Sequence, residues 1–481
     1  MSRPLRQVFI GVDIGTQGVR AVAVDDAGDL VASAMEPFSW IVDQAEQDAE
    51  IWILGVLDVL ARVAAELAKD GRLPSVRALS VTSTSGTVVP LDREHRPLHR
   101  ALMYSDRRPA LQADLCSLIC GRPMNASFGL PKMVWFTDEY PDEAGRIALW
   151  SHPGDYVIGK LCGAWGYTDH TTALKSGYDP AALAWPESID RVGIDRALLP
   201  RVVSPGSLVG ILAKSIVERT GLPAGTQVAV GMTDGCASQI AAGSVLPGTW
   251  NSTIGTTLVI KGVTKSPVHD PLGRVYNHRH PEGHWMPGGA SNTGASWVAQ
   301  DYGQEDLDAL NRGAEKWLPT PWLSYPLLQR GERFPFVRAG ARGFDAHGLS
   351  PEQRFASRME GVAYLERMSV HLMETLSGER IASVMTGGGA SGNSLWLQIR
   401  SNVLGRPILR TRHSSAAFGA AIIAASRTAF DGLSRAGTHM THLQERVEPD
   451  GRERAYDERY RAFVAALLAK GYIERSPEWE V

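Results

Sequence analysis

The sequence predicts an α/β protein built of two similar halves with a cleft between them. Three observations carry that expectation. The pattern of apolar strand, Gly-Thr and apolar strand occurs twice, around Ile14-Gly15-Thr16 in VFIGVDIGTQGVRAVAV and around Ile254-Gly255-Thr256 in GTWNSTIGTTLVIKGV, 240 residues apart in a chain of 481. Each copy is followed by strand and helix patterns in the same order. A further glycine run, Gly387-Gly388-Gly389, stands between an apolar strand and a helix. Glycine at such positions lets backbone N–H groups approach an anion without a Cβ in the way, and the threonine after it adds a hydroxyl donor.

The elements follow in order. Alternating apolar residues up to Gly15 and again from Gly18 predict a hairpin in which glycine supplies the turn conformation. Asp25-Asp26-Ala27-Gly28 predicts a second turn and DLVASAME a third strand. A helix is expected over about Ala49–Lys69, stopped by Gly71, and VRALSVTST reads as the next strand. In the second half GTWNSTIG, TTLVIKGV and HWMPGG are the corresponding three strands. Leu318–Ser350, punctuated by Pro and Gly, reads as a long loop or inserted lobe. Phe355, Met359 and Val362 keep helical spacing, as do Tyr456, Tyr460, Phe463 and Leu467, which predicts two core helices. Ser414–Ala421 opens a helix of small residues suited to close packing beneath the glycine loop. A chain of this length exceeds one hydrophobic core, and the repeat divides it into 1–243 and 244–481, with a hinge where Gly231–Ala242 leads into the second hairpin. Three antiparallel strands, a helix and a further strand match the start of a ribonuclease-H-like unit, and its duplication is the actin-like ATPase architecture.

Composition narrows the partners. With 49 basic against 52 acidic residues the net charge is −3, which offers no field for nucleic acid or an anionic membrane, and 44% hydrophobic with 21% charged residues is that of an ordinary globular chain. The expected partner is a small molecule, and a homodimer is left open. Asp13 interrupts the N-terminal apolar run, and the longest apolar stretch, Ala416–Ala425, is about half of a bilayer span, so a cytosolic protein is expected. Cys116, Cys120, Cys162 and Cys236 lack the density of a disulfide framework and read as reduced packing residues. Pro281 and Gly283 between His280 and His284 argue against a helix that would align them on a metal. Neither a Gly-x-Ser-x-Gly elbow nor His-Glu-x-x-His occurs, which removes hydrolases of those types.

The chemistry-bearing candidates sit at strand ends. Asp13 closes an apolar strand directly before the first Gly-Thr tip, where a buried carboxylate is costly unless a cation or polar substrate meets it. Turn capping is its alternative. Asp234 lies where the apolar strand VAVGMT passes into a helix of small residues, either projecting into a cleft or acting as the helix N-cap. Ser85 and Thr87, after RALSV, and Asp106 in YSDRR could line a polyol pocket, with an Asp-Arg pair as the other reading of Asp106.

In order and spacing, DIGTQGVRA, GMTDG, STIGTT and GGGASGN followed by AAFGAA resemble the FGGY family of carbohydrate kinases over roughly Val8–Ala425. The resemblance implies ATP-dependent phosphorylation of a sugar or polyol hydroxyl. It makes Asp234 the general base and lets Asp13 and Asp234 hold Mg²⁺. Gln17, Gly18, Arg20, Ser85 and Asp106 join the two aspartates in binding the acceptor. Thr16, Gly255 and Thr256 meet the phosphates, the two threonines from opposite domains, while Asn292, Gly388, Gly389 and Asn393 border the rest of the nucleotide. Phosphoryl transfer needs such in-line positioning and charge neutralisation, and domain closure would exclude water. TSTSGTVVPLD, GGASNTG and YPLLQRGERFPF look most like the D-ribulokinase branch, which implies D-ribulose as acceptor, with D-xylulose next and a tetritol or other polyol behind. YSDRR stands where those relatives carry Tyr-Asn, and the adenosine loop is one residue longer than theirs. A reading from another class is a regulatory actin-like ATPase that phosphorylates nothing. The carboxylate at Asp234 argues against it.

Overall fold

The computed structural model describes residues 6–38 and 45–479. The N-terminal residues before Arg6 lie outside the described residues. The chain forms two compact units, one of Met1–Ala241, Pro281–Gly283 and Ser415–Thr441, the other of Ala242–His280, His284–Ser414 and His442–Val481. The stretch 415–441 therefore returns to the first unit.

In the first unit β1 (Val8–Gly15), β2 (Gly18–Asp25), β3 (Leu30–Pro37), β4 (Val76–Ser83), β5 (Leu208–Ile211) and β6 (Gln227–Thr233) form a six-stranded sheet of order β5-β6-β4-β1-β2-β3. β1 and β2 pair from Val8↔Asp25 to Gly15↔Gly18, which leaves Thr16 and Gln17 as the hairpin tip. The glycines do not supply the turn conformation expected of them, since neither Gly15 nor Gly18 has a positive φ. Gly18 is required by a close strand approach, because a Cβ there would lie 2.5 Å from the Glu36 carbonyl oxygen. β4 runs parallel to β1, with Asp13 opposite Thr82, and β6 runs parallel to β4, with Thr233 opposite Ser83.

Helix α1 (Ala49–Lys69) covers this sheet. Asp48 caps its first turn by accepting from the Glu50 N–H at 3.0 Å, and its inward face buries Trp52, Val56, Val59, Leu60, Val63 and Leu67. The Ala416–Ala425 helix is wholly buried and packs on β1, β4 and the helix α2 (Asp234–Ala241). Its small residues serve close packing against the first unit's sheet. The reason is Gly11 on β1, which lets strand and helix backbones touch.

The second unit holds a seven-stranded sheet of β7 (Trp250–Ile254), β8 (Leu258–Gly262), β9 (Tyr276–Arg279), β10 (Trp285–Ala290), β11 (Val384–Gly387), β12 (Ile408–Thr411) and β13 (Leu443–Val447), in the order β9-β10-β8-β7-β11-β12-β13. The three expected strands are β7, β8 and β10, while β9 is an edge strand the sequence pattern did not announce. Its core is built around α3 (Pro351–Ser377), α4 (Ser394–Leu404) and α5 (Glu453–Ala469). A capping box of Ser350 and Gln353 opens α3, and Phe355, Met359 and Val362 are buried along it. Tyr456, Tyr460, Phe463 and Leu467 form the buried stripe of α5. Between Glu315 and Pro351 the chain makes only isolated strand bridges, in keeping with a long loop.

One buried acid in α3 gives this unit a pH dependence. Glu360 accepts from the Thr320 N–H (2.9 Å) and hydroxyl (2.7 Å) and from the Tyr364 hydroxyl (3.3 Å), yet burial pushes its carboxyl from 4.5 up to about 7. Between those two values the folded state holds a proton that the unfolded state has lost, so this group's contribution to stability falls as pH rises from about 4.5 to 7. Gln at this position keeps the acceptor for the Thr320 N–H and stays neutral. Glu360→Gln is therefore expected to be more stable than wild type at pH 8, by up to about 3 kcal/mol, with the gain vanishing towards pH 4. Urea midpoints of both proteins across that range check this; a constant difference would refute it.

Candidate active site

Three adjacent parallel strands, β6, β4 and β1, end on the same side of the sheet, where ligands of open α/β sheets gather. Their ends carry Asp234, the Ser83-Thr84-Ser85 run and Asp13. Oδ1 of Asp13 is buried and has no hydrogen-bond partner. Burial pushes the carboxyl up to about 7, the negative charge of Asp234 pushes the same way, and Arg20, its β2 neighbour in register, pulls it down. The two aspartates therefore sense each other within one unit. Asp234 is half-buried as the first residue of α2, and its Oδ1 accepts from the Gly235 N–H at 2.6 Å.

This pair suits a cation. A carboxylate oxygen sealed from water without a donor is an unmet demand for positive charge. The described residues contain no group of three or more His, Cys, Asp or Glu able to hold a metal. Magnesium is commonly bound by only one or two carboxylates together with substrate phosphates.

Several side chains hold this edge in place, and sequence reasoning missed most of them. Gln47 donates from Nε2 to the Thr16 carbonyl at 2.9 Å and accepts the Trp52 indole N–H at 3.0 Å, which fixes the hairpin tip. Thr16 is half-buried there, Gln17 exposed. No local pattern marks Gln47, because its partner lies 31 residues away. Ser83 accepts the Gly154 N–H at 3.1 Å. Ser85 stands in the turn after β4, followed by Gly86 at φ +82°, whose Cβ would lie 2.2 Å from the Ser127 carbonyl oxygen. The Thr87 hydroxyl faces inward and accepts the Tyr104 N–H at 3.1 Å.

Asp106 takes the ion-pair role. Its side chain is fully buried and both oxygens accept from Arg108, whose Nη2 also reaches Glu46 at 2.7 Å and whose guanidinium lies 4.2 Å over the Trp135 ring. Both carboxylate oxygens accept from Arg108, which is the Asp-Arg pair given above as the other reading of Asp106.

In the second unit Gly255 and Thr256 lie between β7 and β8; Thr256 is exposed, and a Cβ on Gly255 would meet nothing within 4 Å. Gly255 also lacks a positive φ; its N–H donates to the Thr257 carbonyl at 3.1 Å and its carbonyl accepts the Ala295 N–H at 2.7 Å, so what is open is the space beside its Cα. The glycine run follows β11. Gly388 has φ +82° and lies against Ile254, where a Cβ would come within 2.8 Å of its carbonyl oxygen, whereas Gly389 is open. Asn393 is the N-cap of α4: its oxygen accepts the Trp396 N–H at 3.0 Å and its amide donates to Asn311 at 2.8 Å. Asn292 donates to the Gly331 carbonyl at 2.9 Å, and its N–H meets the buried Glu332 at 2.7 Å. Beneath the run, Arg400 and Glu366 form a fully buried pair at 2.7 and 2.8 Å, and Arg400 donates to the Thr386 hydroxyl at 2.8 Å.

Two adjoining domain models describe this combination of sheets and loops, the N-terminal domain of the FGGY family of carbohydrate kinases over residues 8–241 and its C-terminal domain over 250–428. The chain belongs to that family and is a sugar kinase, a phosphotransferase of the two-domain α/β kind. It is 24% identical to a xylulose kinase of Staphylococcus epidermidis, with 96% of this chain and 97% of that protein aligned. It is 23% identical to a gluconokinase of Bacillus subtilis over 89% of each. The solved xylulose kinase of Rhodospirillum rubrum has the same fold, with a TM-score of 0.84, 24% identity and coverage of 97% of this chain and 99% of that one. Among the described residues no helix is long and apolar enough to cross a membrane.

Proposed function

We propose that the protein transfers the γ-phosphate of ATP to a hydroxyl of a ketopentose, with Asp234 as the base that accepts the hydroxyl proton. The observation that carries this reading is the buried, unpaired oxygen of Asp13, which feels the charge of Asp234, the two residues standing at the ends of parallel strands that flank β4. Asp13 and Asp234 would hold Mg²⁺, which supplies charge neutralisation on the phosphate oxygens. Thr16 and Thr256 offer donors for phosphate, with Gly255 keeping a side chain out of the way. The glycine run at Gly388-Gly389 leaves room for a flat base, with Asn393 and Asn292 acting through the loops they brace. Gln17, Gly18, Arg20 and Ser85 border the acceptor.

The relatives named xylulose kinase favour D-xylulose as the first acceptor, ahead of the D-ribulose implied by the sequence resemblance. ADP release with D-xylulose, D-ribulose, gluconate and erythritol distinguishes them. One ketopentose is expected to stimulate turnover well above the sugar-free rate. Stimulation by gluconate or erythritol alone would overturn the ketopentose reading, and hydrolysis indifferent to every acceptor would favour a regulatory ATPase.

A further inference from the structure

We infer that Thr171 is a positioning residue for Asp234, acting through the backbone N–H of Thr233. The inference rests on the reading of Asp234 as the base. Where β6 ends, its pairing with β4 becomes irregular between Val230 and Thr233, so Gly231 and Met232 leave the regular ladder before Thr233 meets Ser83. Gly231 fits there only because it has no side chain; a Cβ would lie 2.0 Å from the Val81 carbonyl oxygen. Bulges of this kind re-aim the residues that follow and leave backbone groups needing other partners.

Two threonines from different elements supply those partners. Thr82 of β4 donates its hydroxyl to the Met232 carbonyl. Thr171, in the helical turn His170–Ala173, accepts the Thr233 N–H at 2.8 Å. Its orientation is set by Asp169, whose Oδ1 takes the Thr171 hydroxyl at 2.6 Å and caps the same turn by accepting the N–H groups of Thr171 at 2.6 Å and Thr172 at 3.2 Å. A hydroxyl has one proton to give. Because Asp169 receives it, the oxygen of Thr171 is left to accept from Thr233, and the chain of bonds has one direction. Asp169, Thr171 and Thr233 are all buried. The residue directly before Asp234 is thus tied to a turn 62 residues earlier in the chain.

The test is a graded series at position 171 with Ser, Cys and Val, whose side chains accept strongly, weakly and not at all. With the best acceptor sugar and ATP saturating, kcat is expected to fall in that order, Ser restoring most of the wild-type value and Val losing on the order of 10- to 100-fold. KM for ATP should stay unchanged. In an Asp234→Asn background, Thr171→Val should lower the residual kcat no further, since there is no base left to position. Should the valine variant fail to fold, the serine and cysteine variants still give the order. A kcat that ignores acceptor strength, or an equal fractional loss in the Asp234→Asn background, overturns the inference. Wild-type turnover in Asp234→Asn itself would instead overturn the assignment of the base.

Discussion

Asp234→Asn is expected to lower kcat by roughly 10²- to 10⁴-fold while the protein stays folded and binds ATP as before. Asparagine is close in size and keeps a side-chain oxygen at this place, so the start of α2 and the bond from the Gly235 N–H survive the change. What is lost is the ability to take a proton from the acceptor hydroxyl at neutral pH. The substitution also removes one of the two effects that raise the Asp13 carboxyl, so Asp13 becomes more readily ionised in the variant. A cation held by Asp13 would then lose one ligand and keep the other. Loss of turnover with nucleotide affinity retained therefore separates proton transfer from nucleotide binding. ADP release at saturating acceptor and titration calorimetry with ATP measure the two quantities. Turnover within twofold of wild type would mean that Asp234 is a helix cap alone.

Both aspartates were legible in the sequence because each breaks a local rule. A carboxylate that ends an apolar strand beside glycine needs a reason, and in the fold the two stand at the ends of the parallel strands that flank β4, with the charge of Asp234 raising the Asp13 carboxyl. The bounds of α1 were legible too, since Asp48 and Gly71 punctuate a continuous apolar stripe. What the sequence concealed were contacts between distant segments. Gln47 and Thr171 look like ordinary polar residues until the chain brings Thr16 and Thr233 to them. Asp106 left two readings open, sugar ligand or ion pair, because only the fold shows that Arg108 turns back to both of its oxygens. Asn393 has a capping duty visible only once α4 is seen to begin at Ser394. The hairpin glycines were assigned the right place for an incomplete reason: they clear space around the backbone, while the turn itself needs no left-handed residue.

Glycine at position 11 shows how far such clearance can govern the molecule. In Gly11→Ala the new methyl group would lie 1.9 Å from the Ala417 carbonyl oxygen and 2.3 Å from the Ala421 nitrogen, both backbone atoms of the Ala416–Ala425 helix. No rotamer change relieves a clash with backbone, so helix and strand must separate by more than an ångström. The far side of that helix is equally tight, because Gly419 brings it against the Ala237 carbonyl of α2, where a Cβ would stand 1.9 Å away. The helix is buried along its whole length and has no slack to take up. Overpacking of this severity exceeds the usual cost of about 1–3 kcal/mol for an added core methyl group, and Gly11→Ala is expected to be insoluble or to melt at least about 10 °C below wild type. Any folded fraction should also show reduced kcat, since displacement passes through the helix to α2 and the residue that begins it, Asp234. Gly255→Ala supplies the contrast: its methyl group enters open space with no positive φ to strain, so its melting temperature should match wild type. Equal melting temperatures for all three proteins would show that the sheet and the Ala416–Ala425 helix are not packed backbone to backbone as described.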